Sequence, residues 1–259
     1  MSSVASILGR IGAFVLHVSH EVGTYLILSA KTIYSLRKVL REIHNVFVQM
    51  ETIGVNSLPV VLVTSLFTGM VLAVQMYTGF ARFNAQTLVG TVVALAMCRE
   101  LGPVLTAFIV SGRAGSSMAA ELGTMRVTEQ IDALYTLSAD PVEFLILPRF
   151  VSSIIMLPVL TLIGDLVGIM GGYYVTVTVL GENGAIYMDK TFNYLYVSDI
   201  TSGLVKAAVF GAIIAIVSCK EGFFTSGGAK GVGRATTKSV VIAYMAILVS
   251  DYFLTTMMY

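Results

Sequence analysis

Charge is scarce in this sequence. Only 12% of its 259 residues are Asp, Glu, Lys or Arg, against roughly 25% in an ordinary soluble domain, and that deficit excludes a normal solvated surface. Cysteine is nearly absent: Cys98 and Cys219 both lie inside apolar stretches, far apart. Without Cys/His ligand spacing, neither a disulfide framework nor a zinc site is indicated, and both read as small packing residues. No Lys/Arg-dense tract interleaved with aromatics occurs, and the formal net charge is +1, so nucleic acid is not an expected partner. A signal-peptide pattern is also missing. His17, His20 and Glu21 interrupt the apolar residues after Arg10 before any small-residue cleavage site, so the first residues are expected to be retained.

What the sequence does have is apolar length. Hydrophobic residues make up 56% of the chain and mean hydropathy is +0.85. The apolar runs are too long and too numerous to be interior helices of one globule. The expected class is an all-α integral membrane protein.

Two regions are distinguished, an N-terminal interfacial helical region over residues 1–56 and a five-span domain over 57–259. In the first, Ile7, Leu8, Ile11, Phe14, Val15, Val18 and Val22 recur at helical spacing, with Arg10, His17, His20 and Glu21 between them, which predicts an amphipathic helix lying at the membrane surface. Ile33, Leu36, Leu40, Ile43 and Phe47, set among Lys31, Arg37, Lys38, Arg41 and Glu42, suit the headgroup zone. The spans are expected at about Ser57–Phe80, Gln86–Ser111, Phe150–Leu180, Ile200–Cys219 and Ser239–Met258, each near or above the roughly 20 residues that cross the hydrocarbon core. Arg10, Lys31, Arg37, Lys38 and Arg41, then Arg113, Arg126 and Arg149, then Lys220, Lys230, Arg234 and Lys238 fall on one side, against Arg82 and Lys190 on the other. By the positive-inside rule the N-terminus is cytoplasmic and Tyr259 lies outside.

Ionisable residues within the spans are Arg99, Glu100, Lys206 and Asp251, with Asp165 a fifth candidate. Each is costly at the bilayer centre, by roughly 2.5–3.5 kcal/mol on insertion scales, and so is expected to face a bundle interior or a watery cavity. Two compatible readings stand: an ion-pair cluster that fixes helix register, or the floor of a substrate cavity. Gly164, Gly168 and Gly172 clear one face of the third span for a neighbouring helix, and packing is preferred to a hinge. Pro148 and Pro158 are expected to kink that span.

The stretch Ser111–Phe144 reads as a cytoplasmic loop with two short helices. Thr128 is expected to cap the first, with Glu129 in its first turn and Ile131, Leu134 and Tyr135 on one face. Asp140 is expected to cap the second, with Pro141 in its first turn and Glu143 completing a capping box. The pair could serve as a docking element or lie flat on the membrane. Ser226–Ser239 is a glycine-rich loop that approaches a phosphate-binding motif, but Arg234 and Ala235 stand where Lys and Ser/Thr are required and a span precedes it. ATP-driven action therefore requires another chain, and no cofactor is expected in this one. Catalysis has little support: His17, His20 and His44 pair with no nucleophile, and snorkelling explains His17 and His20 better than a metal.

The run CRELGPVLTAFIVSGRAGSSMAAELGTMRVTEQIDAL, Cys98 to Leu134, closely resembles the central signature of the MlaE/YrbE-type, or Mce-associated, ABC transporter permeases. DPVEFLILPRF at Asp140–Phe150, GRATTKSVV at Gly233–Val241 and DYFLTTMM at Asp251–Met258 extend the likeness over most of the chain from about Ser57. The resemblance implies a homodimeric permease in a bacterial inner membrane, its C-terminus periplasmic, with a cytoplasmic ABC ATPase dimer and an external MCE-domain protein as partners. It implies a phospholipid in a cavity at the dimer interface, with Arg99, Glu100, Lys206 and Asp251 at charged family positions and Leu72, Gln75, Met76 and Phe83 on the cavity-lining stretch. It also makes the segment carrying Glu121, Gly123, Arg126, Glu129 and Asp132 resemble the coupling helix that seats in the ATPase. The alternative is an ion- or proton-coupled secondary transporter or channel that uses the intramembrane charges.

Overall fold

The computed structural model describes residues 2–258, with side chains from residue 12 onward apart from those of 14, 17 and 18. The side chains of Ile7, Leu8, Arg10, Ile11, Phe14, His17 and Val18, and the placement of Tyr259, lie outside the described residues. Among the described residues the fold is helical throughout, with five helical rods long and apolar enough to cross a membrane. These rods are Ile43–Ala81, Gln86–Val127, Val142–Thr178, Val197–Phe223 and Gly228–Met258.

The chain begins with α1 (Ser2–Ser35). Its Leu28 and Thr32 are buried while Leu16 and Leu26 stand exposed, so one face seats on the protein and another is free for lipid. A 3-10 turn leads to α2 (Ile43–Ile53) and, past Gly54, to α3 (Leu58–Ala81) with Pro59 in its first turn. Pro fits there because its fixed φ suits the first turn of a helix.

The second rod differs most from expectation. A loop is expected from Ser111, yet the helix runs on to Val127 as α4 (Val89–Ala96), α5 (Gly102–Val110) and α6 (Ser116–Val127), joined by π-helical segments at Met97–Leu101 and Ser111–Gly115. The continuation has little apolar periodicity to announce it. It forms because its small residues let other helices close in: Ala114, Ala119 and Gly123 are buried, and α6 packs against both α10 (Val197–Phe223) and α11 (Gly228–Met258). The roughly 0.5–1 kcal/mol that each mid-helix glycine costs is offset by this contact.

The short helix α7 (Gln130–Thr136) comes next. Thr128 does not cap it; its hydroxyl donates back to Thr124 O at 2.9 Å as the last turn of α6 closes. Glu129 precedes α7 in the left-handed conformation, φ +61°, and Asp132 occupies the first turn instead. Ile131 and Leu134 turn inward, while Tyr135 is 56% exposed, so the three do not share a buried face. Asp140 does cap the helical segment that starts the third rod, accepting from Val142 N at 2.9 Å. Glu143 makes no capping box; it pairs with Lys38.

α8 (Leu147–Thr178) is central, with α3 against one side and α10 against another. A Cβ on Gly69 would run into Gly168 O, one on Gly164 would come 2.8 Å from Ser65 Oγ, and one on Gly168 would collide with Met97. The glycine face is thus a packing surface on which the α3 and α8 backbones nearly touch. The stretch between the third and fourth rods contains α9 (Gly184–Tyr194), capped by Asn183 Oδ1 accepting from Ala185 N at 2.9 Å and seated through buried Tyr187.

The expected loop Ser226–Ser239 is likewise almost entirely helix. The chain reverses at Gly227 (φ +90°) and Gly228 (φ +67°), backbone values that side chains rarely tolerate, and α11 then starts at once. Only Ala235, Ser239, Ala243 and Ile247, an i+4 ridge, are buried along it.

Replacing Gly168 by Val is expected to lower stability by about 1–3 kcal/mol through overpacking against α3 and Met97. Gly79→Ala, at a position with open space, is expected to leave stability unchanged or raise it slightly. Thermal unfolding of both variants in detergent checks this; equal midpoints would show that the α3–α8 approach is loose.

Candidate functional site

The ionisable residues of the spans form two groups in place of the single cluster of four that the sequence leads one to expect. Lys206 on α10 has no exposed side-chain surface. Its ammonium donates to Glu100 Oε1 at 2.8 Å, to Thr255 Oγ1 at 2.7 Å and to Arg99 O at 3.1 Å, and Asp251 Oδ1 lies 3.1 Å away as an ion pair. The bond to Arg99 O has a covalent cause. Pro103 stands four residues on, has no N–H to give that carbonyl, and its ring would clash with it in a regular helix. The π segment Met97–Leu101 moves the carbonyl aside, and Lys206 supplies the missing donor. One ammonium thereby joins the second, fourth and fifth spans.

Arg99 belongs to the other group. Its Nη2 and Nε donate to Asp199 Oδ1 at 2.6 and 3.0 Å. Asp199 is 2% exposed, and its second oxygen accepts from Tyr196 N at 3.0 Å, closing the first turn of α10. An anion there is also favoured by the helix dipole. Sequence reasoning missed Asp199 because it precedes the apolar run that defined the span, although its place three residues after Tyr196 is a capping-box position. Thr255 was missed too; it is one helical turn from Asp251.

Both groups reach the surface, with side chains 38% exposed for Glu100, 35% for Arg99 and 19% for Asp251. On α3 a groove of about 440 Å³ is lined by Phe67, Thr68, Val71, Leu72, Gln75 and Leu101, the last adjacent in sequence to Glu100. Leu72 and Gln75 are thus on this surface. Met76 packs inward against Val89, Val93 and Tyr187, and Phe83, 79% exposed, lies beyond the end of α3. Asp165 on α8 is buried, and a Cβ on Gly102 would collide with its carboxyl, marking another close approach.

At the opposite end of the rods, Arg149 joins Glu121 at 2.8 Å and donates to Leu145 O at 2.6 Å. Arg126 pairs with Asp132 at 2.6 Å. Gly123 is buried, its missing Cβ 3.2 Å from Thr225 Oγ1. Glu129, Asp132 and Tyr135 are exposed, and so is Leu137 at 75%. Nearby, Lys220 pairs with Glu21 and Glu221, and Lys238 joins Glu221 at 3.0 Å. Tyr25 OH donates to Glu221 Oε1 at 2.6 Å. Burial, and then the Glu221 and Glu21 carboxylates, push the Tyr25 phenol above its ordinary range, so it stays neutral and donating.

A family model described as Permease MlaE matches residues 46–257. The chain belongs to the MlaE permease family. It is 48% identical over 254 residues to a probable ABC transporter permease protein of Rickettsia typhi, covering 98% of each chain. A probable ABC transporter permease protein of Synechocystis is 43% identical over 215 residues, 83% of this chain and 82% of the other. The chloroplastic protein Trigalactosyldiacylglycerol 1 of Arabidopsis thaliana is 44% identical over 221 residues, 85% of this chain and 63% of that one. The expected family is therefore correct, and within this ABC permease the charges at Lys206 lie between spans.

In the MlaE-family permease, Lys206→Met removes the cation but leaves Glu100, Asp251 and the Arg99 carbonyl in place. The expected loss is about 3–5 kcal/mol, the scale for orphaning a buried ion. Adding Glu100→Gln and Asp251→Asn is expected to restore most of it. Folded yield and thermal midpoint in detergent report both; a Lys206→Met protein as stable as the parent would remove the cluster's structural role.

Proposed function

We propose that this permease is the membrane subunit of a lipid-moving ABC transporter in the bacterial inner membrane. It acts as a homodimer, energised by a separate cytoplasmic ATPase and continued outside by an MCE-domain protein. One observation carries the mechanism: the rod that ends at α7 also holds Glu100 and Arg99. α6 extends about 18 Å at 1.5 Å per residue and is gripped by α10 and α11. Its end presents exposed Tyr135 and Leu137 beside the Arg126–Asp132 pair, the mixed apolar and charged surface that suits a protein partner. A push on α7 travels along the rod to the π segments, where the contacts of Lys206 are made.

The ATPase is assigned to another chain because Gly228–Gly233, the nearest approach to a nucleotide loop, is the opening of α11. The concentration of Arg126, Arg149, Lys220 and Lys238 at one end of the rods supports a cytoplasmic N-terminus and a periplasmic C-terminus. The lipid reading draws on the Arabidopsis relative, whose name is that of a glycolipid, and on the exposed apolar faces of α3 and α11. A phospholipid's chains would occupy the groove at Leu72 and Gln75, with the charges of Glu100, Arg99 and Asp251 near its polar end. The second reading, a proton- or ion-coupled carrier, is favoured only by the one-cation, two-anion balance around Lys206.

Co-reconstitution in liposomes with the ATPase and MCE-domain partners is expected to give ATP-dependent transfer of a fluorescent phospholipid. Asp132→Lys places a second cation beside Arg126 and is expected to reduce ATPase association and coupled transfer about tenfold, the equivalent of ~1.4 kcal/mol, with insertion unchanged. Undiminished association would remove α7 from the docking surface, and transfer driven by an ion gradient without ATP would favour the second reading.

A further inference from the structure

A ridge that winds along α11 carries Lys230, Arg234, Lys238, Ile242 and Ala246 at intervals of four. Residues four apart form a single ridge on a helix, and this one changes chemistry along its length, three cations and then two apolar residues. Sixteen residues at 1.5 Å each span roughly 24 Å, about half of a ~40–45 Å bilayer with its headgroups. The ridge therefore matches one leaflet, with its cations at headgroup depth and its apolar end among the chains.

Two adjoining concavities follow the same division. A groove of about 430 Å³ runs between α1, α8, α10 and α11, walled by Ser29, Ile33, Phe150, Ile213, Ile242 and Ala246. An open pocket of about 700 Å³ lies against Lys230, Arg234, Lys238 and, again, Ile242. Ile242 is the point where the apolar groove becomes the basic pocket. Two of the neighbouring cations are already matched: Lys220 pairs with Glu21 and Glu221, and Lys238 pairs with Glu221 at 3.0 Å and lies 3.7 Å from Glu21. Lys230 and Arg234 form no ion pair among the described residues. Counting Lys220, Lys230, Arg234 and Lys238 against Glu21 and Glu221, the surface carries two cations in excess.

We infer that this surface is a binding seat for an anionic phospholipid of the leaflet at the Lys/Arg-rich end of the protein, its acyl chain between α1 and α10–α11 and its phosphate at Lys230 and Arg234. A free anion would use the cations but leave the groove unfilled, and a zwitterionic lipid would fill the groove but leave the excess charge unmatched. The seat lies on the α1 side of the bundle, apart from the α3 groove proposed for transport, and requires neither an ATPase nor transport to be detected.

The chain contains no tryptophan, so one introduced indole reports alone. The full-length Ile33→Trp protein is reconstituted in vesicles of phosphatidylcholine and phosphatidylglycerol, with brominated chains on one lipid at a time. Stronger quenching by brominated phosphatidylglycerol is expected, and the preference should fall about fivefold for each of Lys230→Gln and Arg234→Gln, the scale of one interfacial cation. An Ile155→Trp reporter on the exposed face of α8, away from both grooves, should show no preference. Should Ile33→Trp not yield folded protein, Ala246→Trp reads the same groove from α11. Equal quenching by the two lipids, or a preference that survives both charge removals, would overturn the seat. Loss of the preference on adding millimolar inorganic phosphate would instead mark a simple anion site, and would overturn lipid occupancy.

Discussion

Lys206 holds an ammonium where three membrane-crossing helices meet, with no water-exposed side-chain surface. Its four partners come from the second and fifth spans, and it is itself on the fourth. Leaving such a charge unmatched would cost several kcal/mol in a medium of low dielectric, so the relative height of these helices is set by the need to keep all four oxygens around it. The π segment beside Pro103, the buried turn at Asp199 and the position of Thr255 all become intelligible as conditions for that arrangement. The α3–α8 contact is of the opposite kind. It is an approach of backbones made possible by Gly69 and Gly168, and it depends on shape rather than charge.

These two modes divide the molecule. α8, with α3 on one side and α10 on the other, is closely packed, and its tight points are glycines that admit no substitute without displacement. The second rod is joined to the fourth and fifth by ions and small side chains, and carries two π segments where the regular hydrogen-bond ladder is interrupted. A closely packed half beside one whose helix ladder is interrupted suits the transmission proposed above.

Apolar length alone located the five spans, because twenty or so residues without water can only be helix. Their ends were not legible in the same way. Ser111–Val127 continues as helix because Ala119 and Gly123 meet α10 and α11, neighbours far away in sequence, and Gly228–Ser239 is helix because two left-handed glycines turn the chain abruptly. The pairing of charges was illegible for a related reason: Arg99 and Glu100 are adjacent, yet the π segment sends one to Asp199 and the other to Lys206. The glycine spacing in α8 did reveal a packing face, since every fourth residue falls on one side whatever the partner.

The scant burial of α11 has an energetic corollary. Only 11% of its most apolar window is covered by the rest of the chain, and in a bilayer the exchange of lipid tails for other hydrocarbon contacts is nearly neutral. Sideways displacement of this helix thus meets little hydrophobic resistance. Besides the ridge it seats on α6 and α10 and the bond from Tyr244 OH to Phe108 O, it is restrained by two ionic latches, Lys238 to Glu221 near one end and Asp251 with Thr255 around Lys206 near the other. Displacing such a helix would break ion pairs near both of its ends and slide one buried ridge, Ala235 to Ile247, with little further core to repack.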